Sequence, residues 1–366
     1  MLKERLNKRK QTGRVRIMIW DVIVIGAGPA SAAFARRAAL GGINVQVIDG
    51  QTEKNKKPCG GLLAPDAQKI LAGSDFVLPR EVLADPQIFA VETMDLCTGQ
   101  IRYYQRCYLN MDRWAFDKLL FQNMPEGVSV VSGRCTGIER KDGLFRLKVR
   151  TNEGIEEVKS KYIIGADGAA SMVRRTFFPA NKIMQYVSIQ QWFEFKKEGP
   201  PFYSCIFDAK TSESCSWIIH KDEYIIYGGC FTPKHCRKAF EEQKKRLQEF
   251  TGLDLHNPVK TEACLADRPR KMKDFVTGRE GVFLIGEAAG FISPSSFEGI
   301  SSALRSGTAL AEAFLSAEDS EKIARTYRKK TYGLRMKLMI KTLKRWFMYT
   351  PWVRKIIMKI GVGSIK

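Results

Sequence analysis

After Glu321 the chain contains no aspartate or glutamate, although that stretch holds fourteen lysines and arginines. Histidine is equally scarce. His220, His235 and His256 are far apart in sequence, so no histidine-based catalytic set is expected. Cys230, His235 and Cys236 lie close together but lack a fourth ligand, and no metal is expected. The nine cysteines include no C-x-x-C pair. The first apolar stretch, from Ile17, holds Asp21 and runs into a glycine turn rather than a cleavage site. A cytoplasmic chain with reduced thiols is the expectation. No uninterrupted run of about 18 apolar residues occurs, which argues against a membrane-spanning helix. Internal repeats are absent too.

The net charge is +21 over 366 residues, and its placement is informative. Residues 1–20 carry +6 and the stretch after Glu321 carries +14, which leaves +1 for the body. An excess confined to the ends points to an anionic surface as partner rather than to an anionic substrate. No chemistry is assigned to the basic arm 1–17.

The length suits two domains. Val22–Ile25 is a continuous apolar run ending at Gly26, as expected of a buried strand. Pro29–Leu40 reads as an Ala-rich helix stopped by Gly41-Gly42, and Ile43–Ile48 as a second strand. Together they make a βαβ unit. Aromatic and β-branched segments follow between 187 and 227, separated by polar turns, and predict an antiparallel sheet. Gly281–Ile285 returns to the first fold, and Ile300–Leu315 reads as a second Ala-rich helix. The expected fold class is α/β: a Rossmann-like nucleotide-binding domain (18–85, 105–180, 260–330), an inserted antiparallel-sheet substrate domain (86–104, 181–259) and a C-terminal helical tail (331–366).

Three segments carry the chemistry. The first is Gly26-Ala27-Gly28-Pro29-Ala30-Ser31, followed by Asp49-Gly50. The first glycine permits the sharp turn, the second lets a pyrophosphate approach the backbone, and the helix beyond supplies N–H donors. Asp49 closes the second strand, where a carboxylate accepts from ribose hydroxyls. Ser31 replaces the usual third glycine. The second segment is Gly165-Ala166-Asp167-Gly168, with Arg174-Arg175 after it. The third runs from Gly286-Glu287 through Pro294 to Gly299-Ile300, where a strand end, a carboxylate and a helix start can meet a ribityl chain and a flavin ring. Their order along the chain makes coincidence an unattractive explanation.

With these motifs the chain resembles the geranylgeranyl-reductase branch of flavoproteins, related to the para-hydroxybenzoate-hydroxylase fold. Lys57-Pro58-Cys59-Gly60-Gly61-Leu62 is the mark of that branch. Four segments, Pro58–Gln68, Ser188–Phe193, Phe202–Asp208 and Leu284–Ile300, match one of its members more closely. The resemblance implies FAD, with Cys59 beside the isoalloxazine and Arg113 and Cys135 among the cofactor contacts. The alternative for Cys59 is a buried inert thiol, and for Arg113 a surface cation. Trp217 and Trp192 are candidate substrate walls, and Trp217 is equally well read as sheet core. The branch's Y-x-W-x-F-P-K motif reads Cys215-Ser216-Trp217-Ile218-Ile219-His220-Lys221, and its third-motif Asp is Glu287. The implied reaction is hydride transfer from reduced flavin to a carbon–carbon double bond of a hydrophobic, isoprenoid lipid. Alternatives are a flavin-dependent hydroxylase and a lipid-sequestering flavoprotein. No residue stands out as proton donor. The electron donor has no fingerprint of its own, and NAD(P)H or a ferredoxin-type protein is expected.

In the tail, Met336, Met339, Ile340, Leu343 and Phe347 fall on one helical face, with Lys337, Lys341, Lys344 and Arg345 away from it. Pro351 separates a second basic-apolar segment, Val353–Ile360. Three readings stay open: peripheral contact with an anionic membrane at the inner face of the cell membrane, packing on the body, or another partner. No nucleic-acid module supports nucleic-acid binding. Because the tail follows the last flavin motif, it is expected to be separable from the folded core.

Overall fold

The computed structural model describes residues 18–52, 57–74, 76–195 and 200–360. The basic arm 1–17, Lys54–Lys56 and the last residues of the tail lie outside the described residues. Two eight-stranded sheets organise the rest.

The first sheet is built on β1 (Ile19–Ile25) and β2 (Val45–Asp49). Their apolar runs are buried on both faces, as suits parallel strands covered by helices. Four further strands complete a mostly parallel core with them: β6 (Val128–Ser132), β9 (Ile155–Gly165), β15 (Gly278–Arg279) and β16 (Val282–Leu284), in the order β15-β16-β9-β1-β2-β6. β7 (Arg134–Lys141) and β8 (Leu144–Arg150) form a hairpin joined antiparallel to β9. Across the sheet lie α1 (Pro29–Ala39) and α6 (Ile300–Leu315), packed close together. A Cβ on Gly307 would stand 2.1 Å from the Ala30 carbonyl, so only glycine permits that crossing.

The second sheet comprises β3 (Leu62–Leu63), β4 (Ile88–Asp95), β5 (Gln100–Asn110), β10 (Met184–Glu194), β11 (Phe202–Phe207), β12 (Ser216–Lys221), β13 (Tyr224–Phe231) and β14 (Lys260–Arg268), in the order β14-β10-β13-β12-β11-β4-β5-β3. Only the β11–β4 pairing is parallel. Two expected boundaries move. β5 runs unbroken past residue 105, and β14 pairs with β10, so 260–268 belongs to this sheet and not to the FAD-binding domain. One face packs on α5 (Cys236–Thr251) through Phe240 and Leu247. The other faces the first domain. The short helices are α2 (Pro65–Ala72), α3 (Arg113–Leu120) and α4 (Met172–Phe177). α3 begins at an Asp112 cap that accepts from the Ala115 amide at 2.8 Å.

The chain ends in α7 (Ser320–Lys330), α8 (Tyr332–Tyr349) and α9 (Pro351–Ile360). The expectation of a separable tail is corrected here. Arg354 and Asp95 form a fully buried ion pair at 2.8 Å. Arg102 donates to the Met358 and Lys359 carbonyls that end α9. Leu338 belongs to the main core. What is exposed is the apolar stripe itself: Met336, Ile340, Leu343 and Phe347 on α8, then Trp352, Ile356 and Ile360 on α9. The buried positions of these helices include Arg335 and Arg354. No described helix is long and apolar enough to cross a membrane.

Candidate active site

The β1–α1 turn has the shape the glycines require. Gly26 sits at φ +103°, and a Cβ there would lie 2.5 Å from the Ala166 carbonyl. Gly28 precedes α1, has no side-chain cap, and would present a Cβ to open space with nothing within 4 Å. Pro29 occupies the first turn, where its missing N–H costs nothing. Ala30 is buried against Gly307 of α6, and Ser31 is fully buried with no partner for its hydroxyl among the described residues. Asp49 ends β2 almost fully buried, accepting from the Gln51 amide at 3.0 Å and from Lys118 at 2.7 Å. Gly50 follows, close to the Gly133 carbonyl. A cavity of about 140 Å³ opens beside Asp49, lined also by Ala27, Gln51, Trp114 and Lys118.

The second and third segments meet. Asp167 accepts from the Met172 amide at 2.6 Å, and its other oxygen is buried without a partner. Burial raises its pKa despite hydrogen bonds from Ser171 and Met172. Gly168, at φ +69°, would bring a Cβ to 3.7 Å from the Glu287 carboxylate and 3.9 Å from the Lys57 amine. Lys57 and Glu287 pair at 2.5 Å. Burial disfavours the Lys57 charge, but Glu287 outweighs it and holds the ammonium above its usual range. The other Glu287 oxygen accepts from the Asp267 amide at 3.1 Å. Burial first, and the Glu287 charge second, push the Asp267 carboxyl up to about 7. Arg174 ties the two segments through the Ala288, Asp274 and Asn181 carbonyls. Gly286 takes a positive φ of +59°. The Pro294 carbonyl accepts from buried Arg268 at 2.9 Å, and the Ser295 carbonyl accepts from Tyr349 of α8 at 2.5 Å. Gly299 and Ile300 start α6 without a side-chain cap, leaving its first amides free for a ligand.

The Pro58–Leu62 segment lies against the second sheet. Alternation puts Trp217, Ile219 and Lys221 on one face of β12. A Cβ on Gly60 would stand 2.4 Å from Ile219 and 3.8 Å from the Trp217 indole nitrogen. One on Gly61, at φ +70°, would stand 2.4 Å from the Lys221 amine. These glycines let the loop lie directly on the sheet. Cys264 of β14 reaches the Pro58 carbonyl at 3.9 Å. The Cys59 sulfur accepts from the Gly61 amide at 3.4 Å and from Arg113 at 3.7 Å. Arg113 is no surface cation. It pairs with buried Asp117 at 2.9 Å; burial opposes its charge, and Asp117 and Cys59 together raise its pKa.

Two further expected site residues are Cys135, within reach of the Asp167 charge, and Trp192. Cys135 lies on β7 in the main core, pointing at the Gly137 carbonyl, and burial pushes its thiol up to about 11. Trp192, on β10, donates to Glu262 at 2.9 Å and packs edge-on to Tyr224. β13 separates it from Trp217. Lys57 and Lys221 stand in the quoted motifs but had no role assigned, and Lys118 and Asp267 were not singled out at all. Lys221 carried a signal, because it shares an alternation with Trp217 and Ile219. Asp267 and Lys118 carried none, since only the tertiary fold brings them to Glu287 and Asp49.

The arrangement fits FAD. An uncapped helix start faces open space at Gly28, a carboxylate and a cavity stand at the end of β2, and an unpartnered buried oxygen at Asp167 sits beside the glycines of the second segment. The comparisons agree. A family described as "FAD binding domain" matches residues 109–341, and one described as "Pyridine nucleotide-disulphide oxidoreductase" matches 20–190. Protein CbrA of Escherichia coli K12 is 42% identical over 351 residues, covering 94% of this chain and 98% of that one. A geranylgeranyl bacteriochlorophyll reductase-like protein of Thermoplasma acidophilum has the same fold at 20% identity, with a TM-score of 0.81 over 95% of this chain and 94% of that one. So does PqsL, a probable FAD-dependent monooxygenase of Pseudomonas aeruginosa, at 15% identity and a TM-score of 0.69, over 93% and 100% of the two chains. The chain belongs to the FAD-binding domain family, as an FAD-dependent oxidoreductase related to CbrA.

Proposed function

We propose that this flavoenzyme is a reductase that saturates a carbon–carbon double bond of a hydrophobic, isoprenoid lipid at a membrane surface. The observation that carries the reading is the apolar strand face opposite the Pro58–Gly61 loop. Trp217, Ile219, Ile226 and Tyr203 lie side by side there across β12, β13 and β11. Bound FAD would supply the hydride. Gly26, Gly28, Asp49, Asp167, Glu287 and the start of α6 would hold it, and the apolar face would orient a prenyl chain and exclude water. The electron donor is a nicotinamide or a ferredoxin-type protein.

The outward stripe of α8 and α9 supports the membrane part of this reading. Soluble monomers rarely leave so many large apolar side chains exposed together. These are flanked by lysines, and no acidic residue follows Glu321. That combination suits the anionic inner face of the cell membrane. Mass spectrometry of lipid carried by purified protein tests the substrate class. A prenyl chain is expected, and a bound aromatic acid would overturn the reading. A hydroxylase is the second reading, favoured by the fold shared with a probable monooxygenase.

A further inference from the structure

We propose that Lys221 is the acid of this site, giving the proton that accompanies hydride transfer. The inference rests on the reading that the Pro58–Leu62 loop lines the reacting centre. Lys221 is only 5% exposed. Its amine donates to the Met111 carbonyl at 2.6 Å, its one hydrogen bond among the described residues, and it forms no ion pair with any of them. An ammonium has three protons to donate, so two remain available. Of the three β12 side chains that face the loop, Trp217 and Ile219 are apolar, and Lys221 alone can carry a proton.

The groups that face the amine are Cys59 of the loop, Asp112 at the start of α3 and Asp222 in the turn after β12. All three favour the charged amine, but burial outweighs them and draws it down to about 8. A buried cation without a paired carboxylate works against folding. Its presence beside the cofactor loop is the pattern of a group kept for chemistry. At neutral pH it is protonated, yet close enough to its pKa to release the proton. In the overall step one alkene carbon takes the hydride that reduced flavin supplies, and the other takes a proton from the Lys221 amine. The C=C π bond, the bond in the reduced flavin that gives up the hydride and one Lys221 N–H bond break, two C–H bonds form, and the flavin is left oxidised. The neutral amine then recovers a proton from water.

The test uses full-length holoprotein as wild type, Lys221→Met and Lys221→Arg. The first arm needs no lipid. Dithionite-reduced protein, freed of excess reductant, is mixed with dioxygen from pH 6 to 10, and flavin reoxidation is followed by absorbance. Dioxygen takes two electrons and two protons to become hydrogen peroxide, so a nearby ammonium accelerates it. Wild type should slow as pH rises through about 8. Lys221→Met should be slow and flat, and Lys221→Arg fast and flat. The second arm is anaerobic reduction of geranylgeraniol in anionic vesicles, where Lys221→Met should lose about a hundredfold in kcat, the scale of general acid catalysis, with KM unchanged. In a third arm, melting at pH 7 should show Lys221→Met no less stable than wild type, with the difference shrinking between pH 8 and 10.5 as the unfolded lysine also loses its proton. If Lys221→Met reoxidises like wild type at every pH, the proposal is wrong. A lower melting point at pH 7 would instead mark Lys221 as a clip for Met111. If wild type leaves geranylgeraniol untouched, the substrate reading fails while the first arm still decides Lys221.

Discussion

The two sheets contribute to the site in different ways. In the first, chemistry stands at strand ends: Gly26 after β1, Asp49 closing β2, Asp167 after β9 and Glu287 after β16. In the second it stands on a strand face, where Trp217, Ile219 and Lys221 alternate along β12 and Cys264 joins them from β14. Strand-end residues are set by a local turn and move with it. Face residues are set by register, and a one-residue slip would turn every one of them away from the loop. The second sheet therefore needs an external brace, and the C-terminal helices supply it through Arg354 and Asp95.

Four variants probe that contrast. Arg354→Ala should have the largest effect, about 3–5 kcal/mol, because Asp95 is then left charged and buried. Denaturant titration followed by Trp fluorescence would show it, and a loss below about 1 kcal/mol would mean that the second sheet needs no brace. Asp49→Ala should leave the fold intact and weaken FAD retention by about 1.5–3 kcal/mol, the worth of a hydrogen bond to a charged group. Full flavin retention after gel filtration would remove Asp49 from the ribose site.

Asp267→Asn separates cofactor geometry from charge. The folded carboxyl keeps its proton up to about 7, well above the 3.8 of a free aspartate. The stability it contributes is therefore complete below pH 4 and is lost as pH rises through 7. The variant should be more stable than wild type at pH 8, with the gap closing by pH 4. An equal gap at both pH values would show that Asp267 does not titrate as described. Leu343→Glu with Phe347→Glu should change stability least, because both side chains are exposed. The pair should nonetheless release the protein from anionic vesicles in flotation. Retention on the vesicles would show that the stripe is not the docking face.

The sequence made the first sheet legible because its signals are local. The apolar run Val22–Ile25, the glycine turn and the helix Ile300–Leu315 are all where they were expected. The same locality explains what was missed. Lys260–Arg268 carries four charged residues, so its place as an edge strand beside β10 depends on pairing with a segment about 70 residues away. The α8 stripe was visible as a periodicity, but periodicity does not say which face turns inward. Usual expectation buries the apolar side; here Arg335 and Leu338 are buried and Ile340 and Leu343 are exposed. Arg354 looked like one more basic residue of a solvated tail, because its partner Asp95 lies 259 positions earlier.

Anaerobic single turnover separates a reductase from a hydroxylase. Protein reduced with one equivalent of dithionite is mixed with a polyprenyl lipid in anionic vesicles, without dioxygen, and the lipid is weighed by mass spectrometry. Reoxidised flavin and a lipid heavier by two hydrogens are expected. Flavin that stays reduced until dioxygen is admitted, followed by a lipid heavier by one oxygen atom, would contradict it.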